Sequence, residues 1–160
     1  LRCPAEDAVT DTPADQDPTD RSIRAAREKC HLLYAGERTP HRSCGIAMAE
    51  TFGRRSEPYQ ALRKGGITGF GPCGVVLGAK LILGEILGDP DPTGPTTPAL
   101  KAAVEELEAR LPERVRRATC NELTAPFDDF AGPARHAHCT RLAGETAALL
   151  QEVLLRNGVR

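Results

Sequence analysis

The sequence predicts an all-α protein, a bundle of four to five helices with a glycine-rich loop before its central buried helix. Three observations point there. Apolar residues recur at three- and four-residue spacing along several stretches, no strand-like alternation appears anywhere, and Gly and Pro mark the boundaries between the apolar stretches. At 160 residues the chain is one domain's worth. A chain of that size buries roughly 68–70% of the surface exposed when it is unfolded, so its six cysteines are not needed merely to hold a core together.

Residues 1–20 carry Glu6, Asp7, Asp11, Asp15, Asp17 and Asp20 against a single Arg2, with Pro4, Pro13 and Pro18 interspersed. Without apolar periodicity this reads as a disordered acidic tail, which leaves 21–160 as the folded domain. Asp20 is a suitable N-cap for a first helix reaching about Ala35, with Ile23, Ala26, Cys30 and Leu33 along one apolar stripe and Gly36 to stop it. A loop through Pro40 leads to Ser43, which can cap a second helix from Cys44 to Thr51 ended by Gly53.

Beyond Pro58 a short helical piece, Tyr59–Lys64, meets a run that no regular element tolerates well, Gly65-Gly66-Ile67-Thr68-Gly69-Phe70-Gly71-Pro72. The most apolar stretch follows, Cys73 to Leu87, and reads as a buried helix. Gly74 and Gly78, then Gly84 and Gly88, stand four apart, the spacing that leaves a groove for another helix. Asp89–Pro98 is a proline-rich break. Thr97, with Pro98 at the first helical position, starts a helix whose buried side is Leu100, Val104, Leu107 and Leu111, and Pro112 ends it. Around Cys120 the pattern is ambiguous, and residues 125–133 read as loop. A final helix, about Ala134 to Leu155, puts Cys139, Leu142, Thr146, Leu149 and Val153 on one face, and Asn157-Gly158 closes it.

Charge and composition exclude several classes. With 21 basic against 22 acidic residues there is no basic face for a phosphate backbone, so no nucleic acid partner is expected. No apolar run approaches the ~20 residues of a membrane span. No basic start followed by an apolar stretch signals export, and a cytoplasmic location is expected. In such a reducing compartment six cysteines point to metal or redox chemistry rather than to structural disulfides.

The cysteines stand at 3, 30, 44, 73, 120 and 139, with no C-x-x-C pair, so a common site would gather them from separate elements. Cys44 and Cys73 fall in helix first turns, where the helix dipole lowers a thiol pKa. Cys30, on an apolar stripe, reads as core, and Cys3 as incidental. Gly69–Gly74 satisfies G-x-G-x-x-G, but that pattern binds dinucleotides only after a strand, and helix precedes it here. His136, His138 and Cys139, or Cys30 with His31, do not converge, because neighbours on a helix point about 100° apart. Asp128 and Asp129 read as exposed loop residues.

Four features occur in a fixed order: Ser43-Cys44-Gly45-Ile46-Ala47; Gly65-Gly66 followed by Gly69-Phe70-Gly71-Pro72-Cys73-Gly74-Val75-Val76-Leu77-Gly78; Cys120-Asn121-Glu122-Leu123; and His138-Cys139. Together they resemble the C_GCAxxG_C_C family, redox-active proteins named for a four-cysteine signature. The likeness spans about residues 26–155. Cys44, Cys73, Cys120 and Cys139 match the four cysteines, Gly74 and Gly78 match two glycines, and Val75 replaces the signature alanine. A related domain in split-Soret cytochromes c holds an iron–sulfur cluster, though the haem motif C-x-x-C-H is missing here.

The resemblance implies an iron–sulfur cluster, [2Fe–2S] or [4Fe–4S], on Cys44, Cys73, Cys120 and Cys139, with a redox partner protein as electron donor or acceptor. Four thiolates converging without a cation repel one another, so iron, zinc or disulfide pairing must relieve them. Gly65, Gly66, Gly69, Gly71 and Gly74 are expected to contact the cluster through backbone N–H groups. Two alternatives stand beside the electron-transfer reading: a metal-free thiol–disulfide oxidoreductase with Cys73 as nucleophile, and a structural zinc site in a partner-binding bundle. A homodimer is left open.

Overall fold

A computed structural model describes residues 17–160. Seven α-helices follow in order: α1 (Pro18–Ala35), α2 (Cys44–Thr51), α3 (Gly74–Leu87), α4 (Pro98–Arg110), α5 (Glu113–Arg117), α6 (Cys120–Thr124) and α7 (Pro133–Arg156). A 3-10 helix, Glu57–Leu62, lies between α2 and α3. The described residues form no strand beyond an isolated bridge between Pro72 and Thr119. The fold is all-α as expected, with more helices than four or five, because two five-residue helices, α5 and α6, fill the stretch between Pro112 and Ala125.

α1 begins earlier than expected. Asp17, not Asp20, is the N-cap, accepting a hydrogen bond from the Thr19 N–H at 3.1 Å, and Pro18 takes the first helical position, where its missing N–H costs nothing. Residues 18–20 of the segment read as tail are thus helical, and the remainder of that reading, 1–16 with Cys3, lies outside the described residues. The other end is as expected: Gly36 adopts φ 72° and its N–H caps the Leu32 carbonyl.

α7 is the longest element and α1 lies along it. Ala143, Gly144 and Ala147 keep the two axes close, with the Gly144 backbone against Arg27 and His31 of α1. α2 crosses α3 where Gly78 meets Gly45 and Met48. The second glycine pair works differently: a side chain at Gly84 would meet nothing within 4 Å, and Gly88 already lies past the helix end, so no helix approaches there. α4 is started by Thr97, whose hydroxyl accepts from the Leu100 N–H at 3.1 Å, and it leans on both α3 and α7.

The core gathers Met48, Tyr59, Ile82, Leu83, Leu107 and Leu150, all fully buried. Each such apolar side chain stabilises the fold by about 1.5–3 kcal/mol. Arg110 pairs with Glu152, and Arg156 with Glu106, across the α4–α7 seam, while Arg110 also pairs with Glu106 one turn back in α4. Those groups are a quarter or more exposed, so each pair contributes only ~0–1 kcal/mol and chiefly fixes register. One consequence of this packing is that the N-terminal ends of α2, α3 and α6 face a common cavity on the flank of α7.

Candidate functional site

That cavity has a volume of about 220 Å³, and Cys44, Cys73, Cys120 and Cys139 all line it. Cys44 is the first residue of α2, Cys73 the N-cap of α3 and Cys120 the first residue of α6, whereas Cys139 lies two turns inside α7. Three helix starts therefore present their positive ends to one space. A wider cleft, about 930 Å³, lies between the start of α1 and the end of α7, but among the described residues no cysteine or histidine lines it. All four signature cysteines line the smaller cavity.

The glycine-rich turn is built for support. Gly65 and Gly71 pair through a 2.9 Å backbone hydrogen bond, and a Cβ on Gly65 would fall 2.6 Å from the Cys120 Cβ, in a backbone conformation (φ 58°) that disfavours a side chain as well. The Gly71 carbonyl accepts from the Cys120 N–H and the Gly69 carbonyl from the Asn121 N–H, each at 2.9 Å. Thr119 and Glu122 form a reciprocal capping box at the start of α6. Cys120 is thus held by a short helix clamped to the turn.

Of the five glycines expected to touch a cofactor, Gly74 alone lines the cavity. The N–H groups of Gly69 and Gly71 are spent within the turn, on the carbonyls of Lys64 and Gly65. The N–H groups that do approach the sulfurs are those of Val75 and Val76 toward Cys73 and of Gly45 and Lys64 toward Cys44, three from helix starts and that of Lys64 from the turn. The first two lean toward the sulfur without reaching full cap geometry. Gly74 has a separate reason to be glycine, since a Cβ there would lie 2.5 Å from the Cys44 sulfur and closer still to the Leu62 carbonyl oxygen.

Burial dominates the electrostatics. Cys73 is only 9% exposed, and loss of solvent pushes its thiol up to about 12, with Cys44 adding to the rise. The helix start, expected to make Cys73 a low-pKa nucleophile, offsets this only in part. Burial, rather than the helix start, thus sets the direction of the shift at Cys73. Burial also raises Cys44, whose thiol donates to the Leu62 carbonyl at 3.7 Å, and Cys120, where the charges of Cys44 and Cys139 add to the rise and Arg135 and Lys64 oppose it.

Sequence reasoning missed the rest of the lining. Arg63, Lys64 and Arg135 are part of the wall, and among the described residues no carboxylate is. Lys64 and Arg135 both stack on Phe130, at 5.0 and 4.3 Å from its ring centre, and Arg135 donates to the Tyr34 hydroxyl at 2.9 Å. Tyr34, His41 and His136 form an aromatic cluster behind them. Ser43 is the N-cap residue of α2 as expected, but its Oγ makes no cap hydrogen bond: it is buried, has no hydrogen-bond partner, and belongs to a residue of the cavity wall. The only signal for these residues in the sequence is that Ser43 adjoins a signature cysteine and that Arg63-Lys64 adjoins the double glycine.

The other candidates fall where their plainer readings put them. Cys30 is 0% exposed, with its sulfur 3.5 Å from that of Met48, and burial pushes its thiol up to about 12. His136 Nε2 lies 3.0 Å from the Ala35 carbonyl oxygen and His138 stacks on Phe127. Asp128 and Asp129 are not part of the cavity wall. Among the described residues no three Cys, His, Asp or Glu side chains stand close enough together to hold a single metal ion, and no helix is long and apolar enough to cross a membrane.

Comparison with known proteins agrees with the cysteine pattern. No curated protein and no solved structure matches the chain. Residues 42–153, more than two thirds of the sequence and all four cavity cysteines, match the family model described as "Putative redox-active protein (C_GCAxxG_C_C)". The chain belongs to the C_GCAxxG_C_C family.

Proposed function

We propose that the protein binds an iron–sulfur cluster through Cys44, Cys73, Cys120 and Cys139 and passes single electrons. The observation that carries this reading is the composition of one cavity wall among the described residues: four thiols, three helix starts, three cations and no carboxylate. Such a wall favours a compact anionic centre.

The donor set suits a cluster better than a lone ion. Tetrahedral zinc–sulfur bonds of about 2.3 Å would bring thiolates to within ~3.8 Å of one another, and no such convergence exists among the described residues. A cluster places its thiolates around a multi-atom core, for which a cavity of about 220 Å³ has space. The unpartnered Ser43 hydroxyl and the helix-start N–H groups are donors that a sulfide or thiolate sulfur would accept from. When bound, the cluster supplies a one-electron couple. Cys73, Cys44, Cys120 and Cys139 hold it, the cations offset its charge, and the apolar packing around Cys73 and Val75 excludes water.

The high thiol pKa of Cys73 weighs against metal-free disulfide exchange, which needs a thiolate. Anaerobically prepared protein should be coloured, bleach reversibly on reduction and give an electron paramagnetic signal in one redox state. A colourless protein, free of iron, that exchanges disulfides through Cys73 would overturn the proposal.

A further inference from the structure

Four large apolar side chains are exposed among the described residues, and three of them belong to the glycine turn or the cavity wall: Ile67 (60%), Phe70 (76%) and Phe130 (40%). Ile67 and Phe70 ride on the glycine turn, and Phe130 forms part of the cavity wall. Three exposed apolar groups on two segments linked by the Lys64–Phe130 contact are more than scattered surface residues. Phe70 is bracketed by the Gly69 and Gly71 carbonyls, the two that accept the Asn121 and Cys120 N–H groups. The turn that displays Phe70 is therefore hydrogen-bonded directly to the segment bearing a cavity cysteine.

Charge completes the surface. Among the described residues none of Arg63, Lys64 and Arg135 comes within ion-pairing distance of a carboxylate. Arg63 and Lys64 precede the turn, and Lys64 reaches across to Phe130, joining the two segments. The exposed Asp128 and Asp129 precede Phe130, and the three cations outnumber them; apolar side chains beside such a net positive charge fit a protein partner with an acidic rim and an apolar centre, and charge complementarity of this kind steers encounter.

We propose that this face docks an acidic one-electron carrier protein, and that electrons cross at the turn, through the Gly71 carbonyl and the Cys120 N–H, to the centre held by Cys120. Each encounter moves one electron: the reduced carrier is oxidised by one electron and the centre in the cavity is reduced by one, with no bond made or broken. The inference rests on the cluster reading above.

The test uses cluster-loaded protein and a reduced acidic plant-type [2Fe–2S] ferredoxin as probe, mixed anaerobically in a stopped-flow instrument. The second-order rate should fall at least about tenfold between roughly 20 and 300 mM salt, as screening removes the steering. Replacing Ile67→Ser and Phe70→Ser together should lower it about tenfold at low salt, while the visible spectrum and the rate with dithionite stay as in the unaltered protein. A rate insensitive to both salt and the double substitution overturns the docking face alone. So does sedimentation of the unaltered protein as a dimer that the double substitution dissociates, which would assign the patch to a second copy of the chain. Protein that takes up no iron and sulfide overturns the cluster reading, and this inference with it.

Discussion

One methyl group, added at two positions of the same helix, should have opposite consequences. At Gly84 an added Cβ meets nothing within 4 Å and the residue is exposed in the interior of α3. Gly84→Ala should stabilise the fold by about 0.5–1 kcal/mol, the backbone entropy that glycine forfeits in a helix. At Gly74 the same methyl would stand 2.5 Å from the Cys44 sulfur, whereas ordinary contact begins near 3.4 Å. The start of α3 must retreat by roughly 0.9 Å, or Cys44 must turn aside; overpacking of this size costs about 1–3 kcal/mol. The Leu62 carbonyl is backbone and cannot rotate out of the way. For a chain of this length the midpoint should drop by about 2–4 °C per kcal/mol, read by circular dichroism with urea titration for the free energy. Gly74→Ala should also lose most of its iron, since Cys44 and Cys73 are the proposed ligands that it would displace. A Gly74→Ala protein as stable as Gly84→Ala, with its iron retained, would refute the close approach of α2 and α3 at the site.

Thr119→Ala removes one half of the capping box at the start of α6 and should cost about 1 kcal/mol in urea titration while loosening Cys120 enough to speed its alkylation in cluster-free protein. Ser43→Ala should leave helix α2 as stable as before, because the hydroxyl caps nothing, and should lower the reduction potential by tens of millivolts, the equivalent of about 1 kcal/mol for a one-electron couple. Cys30, pushed up to about 12 by burial, should resist iodoacetamide at pH 8 until the chain unfolds. Its sign with pH follows from linkage: above its ordinary value of 9.0 the unfolded chain releases the proton that the folded chain keeps, so Cys30 contributes a loss of stability as pH rises beyond 9.0. Cys30→Ala should flatten that alkaline decline in a pH series of urea titrations.

The long helices were legible because each carries a repeating apolar stripe and a local stop or start, as with Gly36 after α1 and Thr97-Pro98 before α4. α6 was not, since five residues hold less than two turns of periodicity; yet its Thr119-x-x-Glu122 box is a sequence signal, and it passed unused. The four cysteines could be selected from six because glycines and cysteines match the family signature together. What surrounds them could not: Arg63, Lys64, Arg135 and Phe130 reach the cavity from separate segments and share no spacing. The direction of the glycine N–H groups was also out of reach, because composition shows that a turn is tight but not which carbonyls it satisfies. Cys73 teaches the same lesson in electrostatics. Its place at a helix start is visible in the sequence, whereas the burial that outweighs the dipole depends on packing by distant residues.

The central claim is that these four cysteines, and not Cys30, hold an iron–sulfur cluster. Its most direct test is iron and acid-labile sulfide per chain in anaerobically isolated protein, measured for the unaltered sequence, for Cys30→Ala, and for Cys44→Ser, Cys73→Ser, Cys120→Ser and Cys139→Ser. Iron and sulfide should be present in the first two and largely lost in the last four. Stoichiometric zinc without visible absorption in the unaltered protein, or a cluster that survives the cavity substitutions, would contradict the account.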